Sequence, residues 1–97
     1  MRLAVAQIIT GADLSANLEL IRDYATRAKA AAAELVVFPE AAMRAFGNRL
    51  TDIAEPLDGP WAAAVRGIAH ELDITVVAGM FTPGDGGRVR NLSLIHI

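Results

Sequence analysis

Four consecutive apolar residues, Leu35-Val36-Val37-Phe38, halted by Pro39 and followed by Glu40, constrain the fold more than any other stretch of the chain. The run is too short for a helix and shows no polar alternation. It has the pattern of a strand buried on both faces in a helix-covered sheet, and the proline that cannot donate to a ladder marks its end. What precedes it fixes the connection. Leu3 to Ile9 reads as a first buried strand, closed by the turn chemistry of Thr10, Gly11 and Asp13. Asp13 is a good N-cap, and Leu14, Leu18, Ile21, Ala25, Ala28 and Ala32 then recur as a helical stripe whose opposite face carries Glu19, Arg22 and Lys29. The opening is therefore a β-α-β unit of an α/β fold. Such units are almost always right-handed, so the two strands are parallel and their carboxyl ends share one rim of the sheet.

Beyond Glu40 the pattern weakens. Gly47, Asn48 and Pro56 break the stretch from Ala41 to Pro56, which reads as a loop with one helical turn. Gly59-Pro60 places proline at the first position of a second helix, with Trp61, Val65, Ile68 and Leu72 on one face and an end near Asp73. Ile74 to Phe81 is a third strand, rich in β-branched residues, and Pro83 to Gly87 is a turn leading into a fourth strand from Arg88, as an antiparallel hairpin.

Composition narrows the function. With 97 residues the chain holds one domain at most, near the size where roughly 60 to 65% of the unfolded surface is buried. Nine basic and eleven acidic residues, net charge −2, are scattered singly, so no patch for nucleic acid or an anionic membrane is expected and a small-molecule or protein partner is favoured. The apolar runs are too short to span a bilayer, and the N-terminal run lacks the form of a signal peptide, so a soluble, cytoplasmic protein is expected. There is no cysteine, and His70 and His96 stand apart, so neither disulfides, nor a metal, nor a cofactor is implied.

Glu40 is the candidate catalytic residue. A carboxylate just after a buried strand sits on the carboxyl rim of the sheet, beside the ligand crevice of open α/β folds. Burial there raises a carboxyl toward the range of a useful base. The competing reading makes it a cap or ion-pair partner of a following helix. Arg44 and Phe46, just after it, are candidates to line a substrate pocket, against the alternatives of a solvated arginine and a packed phenylalanine. Gln7 and Asn17 are read as structural amides, Trp61, Met80 and Phe81 as core, and His70 as a surface residue.

The motifs together carry a resemblance. Val5-Ala6-Gln7, Asn17-Leu18, Leu35-Val36-Val37-Phe38-Pro39-Glu40, Gly59-Pro60 and Val77-Ala78-Gly79, in this order and spacing, resemble the N-terminal part of the nitrilase superfamily of carbon-nitrogen hydrolases. Phe38-Pro39-Glu40 is the most specific element. The resemblance implies a partial α-β-β-α sandwich over residues 1–91 and hydrolysis of a small amide or nitrile substrate through a Glu-Lys-Cys triad. In that triad Glu40 is the general base, a cysteine the nucleophile, and a lysine the oxyanion stabiliser. It also implies a homo-oligomeric complete protein.

The chain departs from the family in having no cysteine and one lysine, Lys29, on a helix's polar face. Alone it is expected to be inactive, as a truncated hydrolase would be. Residues 92–97, Leu-Ser-Leu-Ile-His-Ile, contain none of the alanine, glycine and arginine that dominate before them and resemble the in-frame translation of a transposon-end adapter used in sequencing libraries. They are expected to be a non-native tail; the alternative is a genuine strand alternating Leu92, Leu94 and His96. A different class of function, a small α/β ligand- or partner-binding module, lacks its marks: Ile9 to Asp13 is no glycine-rich fingerprint and the first strand ends in no acidic pair. A non-catalytic interaction protein is a third reading.

Overall fold

Asp13 starts the first helix as expected: its own backbone is extended while its carboxylate accepts the Ser15 N–H at 3.0 Å. The computed structural model describes all 97 residues. In chain order they form β1 (Leu3–Val5), α1 (Leu14–Ala30), β2 (Leu35–Val37), α2 (Pro60–Leu72), β3 (Thr75–Pro83) and β4 (Val89–His96), with a single 3-10 turn, Asp85–Gly87, between the last two strands. The sheet order is β1-β2-β3-β4; β1, β2 and β3 are parallel neighbours and β3 pairs antiparallel with β4. The β-α-β opening and the terminal hairpin are thus both present.

Pro60 opens α2 behind Gly59, which has no side chain to cap with. Glu55 supplies the missing acceptor, its Oε1 taking the Trp61 N–H at 2.6 Å. The helices lie side by side, joined at the surface by Arg22 to Glu71 at 2.5 Å and by Lys29 Nζ donating to the Asp73 carbonyl at 3.0 Å. Such exposed contacts contribute little stability. The core does more: Ile21, Ala25 and Ala28 of α1 and Trp61, Val65 and Ile68 of α2 are buried against Val36, Val76, Ala78 and Met80 of the sheet. Alanines on α1 let that helix approach closely.

The expectation of strands buried on both faces needs correction. Register lines up Val5, Val37, Val77 and Ile95 in one row across all four strands, on the side opposite Val36 and Val76. Val5 is 75% and Ile95 63% exposed, and Leu3, in the adjoining row, 55%. Helices cover one face only; on the other, the segment after β2 covers Gly79 and Phe81 of β3, while the row at Val5, Val37, Val77 and Ile95 is left exposed at its edges and half-buried at its centre. β1 is also shorter than expected. Ala6 still donates to the Val37 carbonyl at 2.9 Å, but the chain then leaves the sheet edge, and Ile9 is exposed. Ile74 belongs to the connection, its N–H bonded to the Ala69 carbonyl, and β3 runs on to Pro83.

The loop from Ala41 to Pro56 includes a helix-like turn, where Ile53 and Ala54 both donate to the Leu50 carbonyl. Glycines at 86 and 87 take positive φ in the hairpin turn, which accounts for that cluster. β4 passes through Asn91 and continues to His96, with Leu92, Leu94 and His96 half-buried on the helix side. Main-chain groups make this pairing, and alternation is all it asks of the side chains. His96 Nε2 is buried without a partner; burial first, then the charge of Arg66, lowers its pKa.

Candidate active site

Phe38 donates one last ladder bond, to the Val77 carbonyl at 2.8 Å, before Pro39 ends the strand. Glu40 follows on the carboxyl rim. Ala41 then takes a left-handed turn, φ +60°, and drives the chain inward, so that Ala41, Ala42 and Met43 are buried. This reversal isolates Glu40 from what comes next.

The inward segment is held by the loop after β1. Asn17, 1% exposed, accepts from the Gly11 N–H at 3.0 Å and donates to the Gly11 carbonyl at 3.0 Å and the Met43 carbonyl at 2.9 Å. Thr10 donates to the Ala41 carbonyl at 3.1 Å, and the Ala45 N–H reaches the Gly11 carbonyl at 3.0 Å. From the other side, the Phe81 N–H of β3 points at Met43 Sδ, 3.4 Å away. The turn carrying Glu40 is therefore braced on both flanks. Truncating Asn17 to alanine would leave the Met43 carbonyl and the Gly11 amide without their partner, so Asn17→Ala is expected to cost about 2 to 4 kcal/mol. Urea denaturation of the complete protein measures this, and a loss below about 0.5 kcal/mol would show that the brace lies elsewhere.

Glu40 is exposed, not buried as expected: no element of this chain packs over its side chain. Its carboxylate has one side-chain partner: Asn91 Nδ2 of β4 donates to Glu40 Oε1. The two residues border a cleft of about 260 Å³ with Phe38, Pro39, Gly79 and Ser93. No helix starts near Glu40. The next one, α2, is capped by Glu55, so the capping alternative finds no helix to cap.

Arg44 and Phe46 do not meet Glu40 at this cleft. Arg44 donates to the Ala12 carbonyl at 2.8 Å and the Arg49 carbonyl at 2.7 Å, bracing two loops. Phe46, 56% exposed, stacks edge-on against buried Phe81 with ring centroids 5.9 Å apart. Lys29 stands near the start of β2, at the opposite end of the sheet from Glu40, and is tied to the end of α2. Gln7 and His70 are exposed. No local sequence pattern links Asn91 to Glu40. The signal existed in the hairpin, whose turn places Asn91 opposite Phe81. No group of three His, Cys, Asp or Glu side chains stands together, and no helix is long and apolar enough to cross a membrane.

Residues 2–95 match the family model for carbon-nitrogen hydrolase. The chain belongs to the carbon-nitrogen hydrolase family. It is 58% identical over 91 residues to hydrolases of two Mycobacterium tuberculosis strains, covering 94% of this chain and 32% of each relative. Its fold matches an amidase from Nesterenkonia sp. with a TM-score of 0.83 at 27% identity, over 98% of this chain and 37% of the amidase. A glutamate-to-glutamine mutant of the amidase from Nesterenkonia sp. AN1, with acrylamide added at its active-site cysteine, matches with a TM-score of 0.79 at 29% identity, over 98% and 39% of the two chains. The four-stranded sheet with two helices is thus the nitrilase-type fold of that amidase, and the chain spans about a third of the length of the relatives it matches.

Proposed function

We propose that this carbon-nitrogen hydrolase chain is the N-terminal part of an amidase-type enzyme in which Glu40 is the general base of a Glu-Lys-Cys set. The observation that carries the reading is the placement of Glu40. It stands on the carboxyl rim just after β2, on a turn braced by buried Asn17, and faces an open cleft with only a neutral amide as side-chain partner. Glu71 and Glu55, by contrast, are held in an ion pair and at the start of α2.

In the proposed reaction a cysteine thiol gives its proton to the Glu40 carboxylate as the sulfur adds to the amide carbon. A lysine ammonium stabilises the oxyanion of the tetrahedral intermediate. The carbon–nitrogen bond breaks, the nitrogen takes the proton held by Glu40 and leaves as ammonia or an amine, and a thioester remains. Water then adds, giving its proton to Glu40, and the carbon–sulfur bond breaks as Glu40 returns that proton to the sulfur, releasing the acid and the thiol. Both cysteine and lysine must come from outside these residues, because the chain has no cysteine and Lys29 is at the far end of the sheet.

Amides are favoured over nitriles as substrates because the matched solved structures include amidases. In the complete protein, iodoacetamide is expected to abolish turnover with one equivalent of thiol alkylated, and a saturating amide substrate to slow that inactivation. Full turnover after every thiol has been alkylated would overturn the proposal.

A further inference from the structure

We infer that Asn91 is a positioning residue for Glu40: its side-chain amide holds one carboxylate oxygen so that the other is presented to the reacting thiol. This rests on the reading of Glu40 as the base.

A carboxylate accepts only, and an amide offers donors on one atom alone, so the Nδ2 end must face Glu40; the opposite flip would set two acceptors against each other. With Oε1 engaged, Oε2 is the oxygen left to take a proton. Glu40 needs such a tether. It is exposed, its side chain has three rotatable bonds, and no other side chain holds its carboxylate. Asn91 can supply the tether because it sits in a regular strand, paired with Phe81, while Phe81 is itself buried and bonded to Met43 and Glu55. Glu40 and Asn91 are far apart in sequence, so the hairpin and the turn after β2 must both form before the base is oriented.

The test uses the complete protein with Asn91→Ala and Asn91→Asp, each alone and combined with Glu40→Gln. A hydrogen bond to an ionised group is worth roughly 10- to 100-fold, and both single substitutions are expected to lower kcat by about that factor with KM changed less than about threefold. Asn91→Asp keeps the shape but replaces the donor by a second negative acceptor, so it should be at least as damaging as Asn91→Ala. A purely space-filling role predicts the reverse order. Combined with Glu40→Gln, either substitution should cost little more than Glu40→Gln alone, because the two act as one unit. Near wild-type kcat in Asn91→Asp, or fully additive losses, would overturn the inference. If Glu40→Gln itself retains turnover, the base assignment and this inference fall together; if Glu40→Gln is inactive and both Asn91 variants are fully active, only the Asn91 role falls.

Discussion

Purified by itself, the 97-residue chain is expected to hydrolyse no amide or nitrile and to self-associate, without a sharp monomeric melt. The absence of turnover follows from chemistry: there is no cysteine, and Lys29 is committed to the wrong end of the sheet. Association follows from the open face. Val5, Val37, Val77 and Ile95 form a row across all four strands, and Leu3 adjoins it. An apolar sheet face of this breadth approaches or exceeds the few hundred Å² that monomeric proteins usually expose. Light scattering with dye binding reads this directly. Introducing charge in the middle of the row, as Val77→Lys, should reduce association of the isolated chain. A monodisperse monomer that melts cooperatively, or any hydrolysis by it, would contradict the expectation.

Local signals made the helices legible. Asp13 and Gly59-Pro60 are instructions that neighbouring residues can read, and both helices begin where these residues place them. The run Leu35 to Phe38 marks a strand, and β2 forms there with neighbours on both edges, though only one of its faces is fully buried. Its ends and surroundings were less legible because they depend on distant parts of the chain. Ile8 and Ile9 extend an apolar pattern that β1 does not use, since an edge strand lasts only as long as its single neighbour. The segment after Glu40 has no periodicity because its structure comes from Thr10, Asn17 and Phe81.

The same non-local logic governs the site. Arg44 and Phe46 are close to Glu40 in sequence, yet the left-handed Ala41 and buried Met43 turn the chain away between them. Asn91 is distant in sequence and close in space through the β3–β4 register, which the side-chain pattern does not fix by itself. Glu40 stands out by its position after β2, but its exposure reflects the uncovered sheet face around it, which no local pattern reveals.

Replacing Glu40 by glutamine in the complete protein is expected to lower turnover by ~10² to 10⁴ while leaving the melting temperature nearly unchanged. The amide preserves the size of the side chain, and its oxygen still accepts from Asn91 Nδ2. What it loses is the ability to take a proton from the thiol. The fold tolerates this because Glu40 is exposed and makes no ion pair, so no buried group is orphaned. A capping role would reverse the pattern, with about 1 kcal/mol of stability lost and turnover retained. The direct measurement is the rate at which the cysteine becomes acylated, followed by intact mass in a single turnover of one amide on wild-type protein and on Glu40→Gln. The result predicted is a thioester adduct that forms rapidly in the wild type and ~10² to 10⁴ times more slowly in the variant; equal acylation rates in the two proteins would contradict Glu40 as the base.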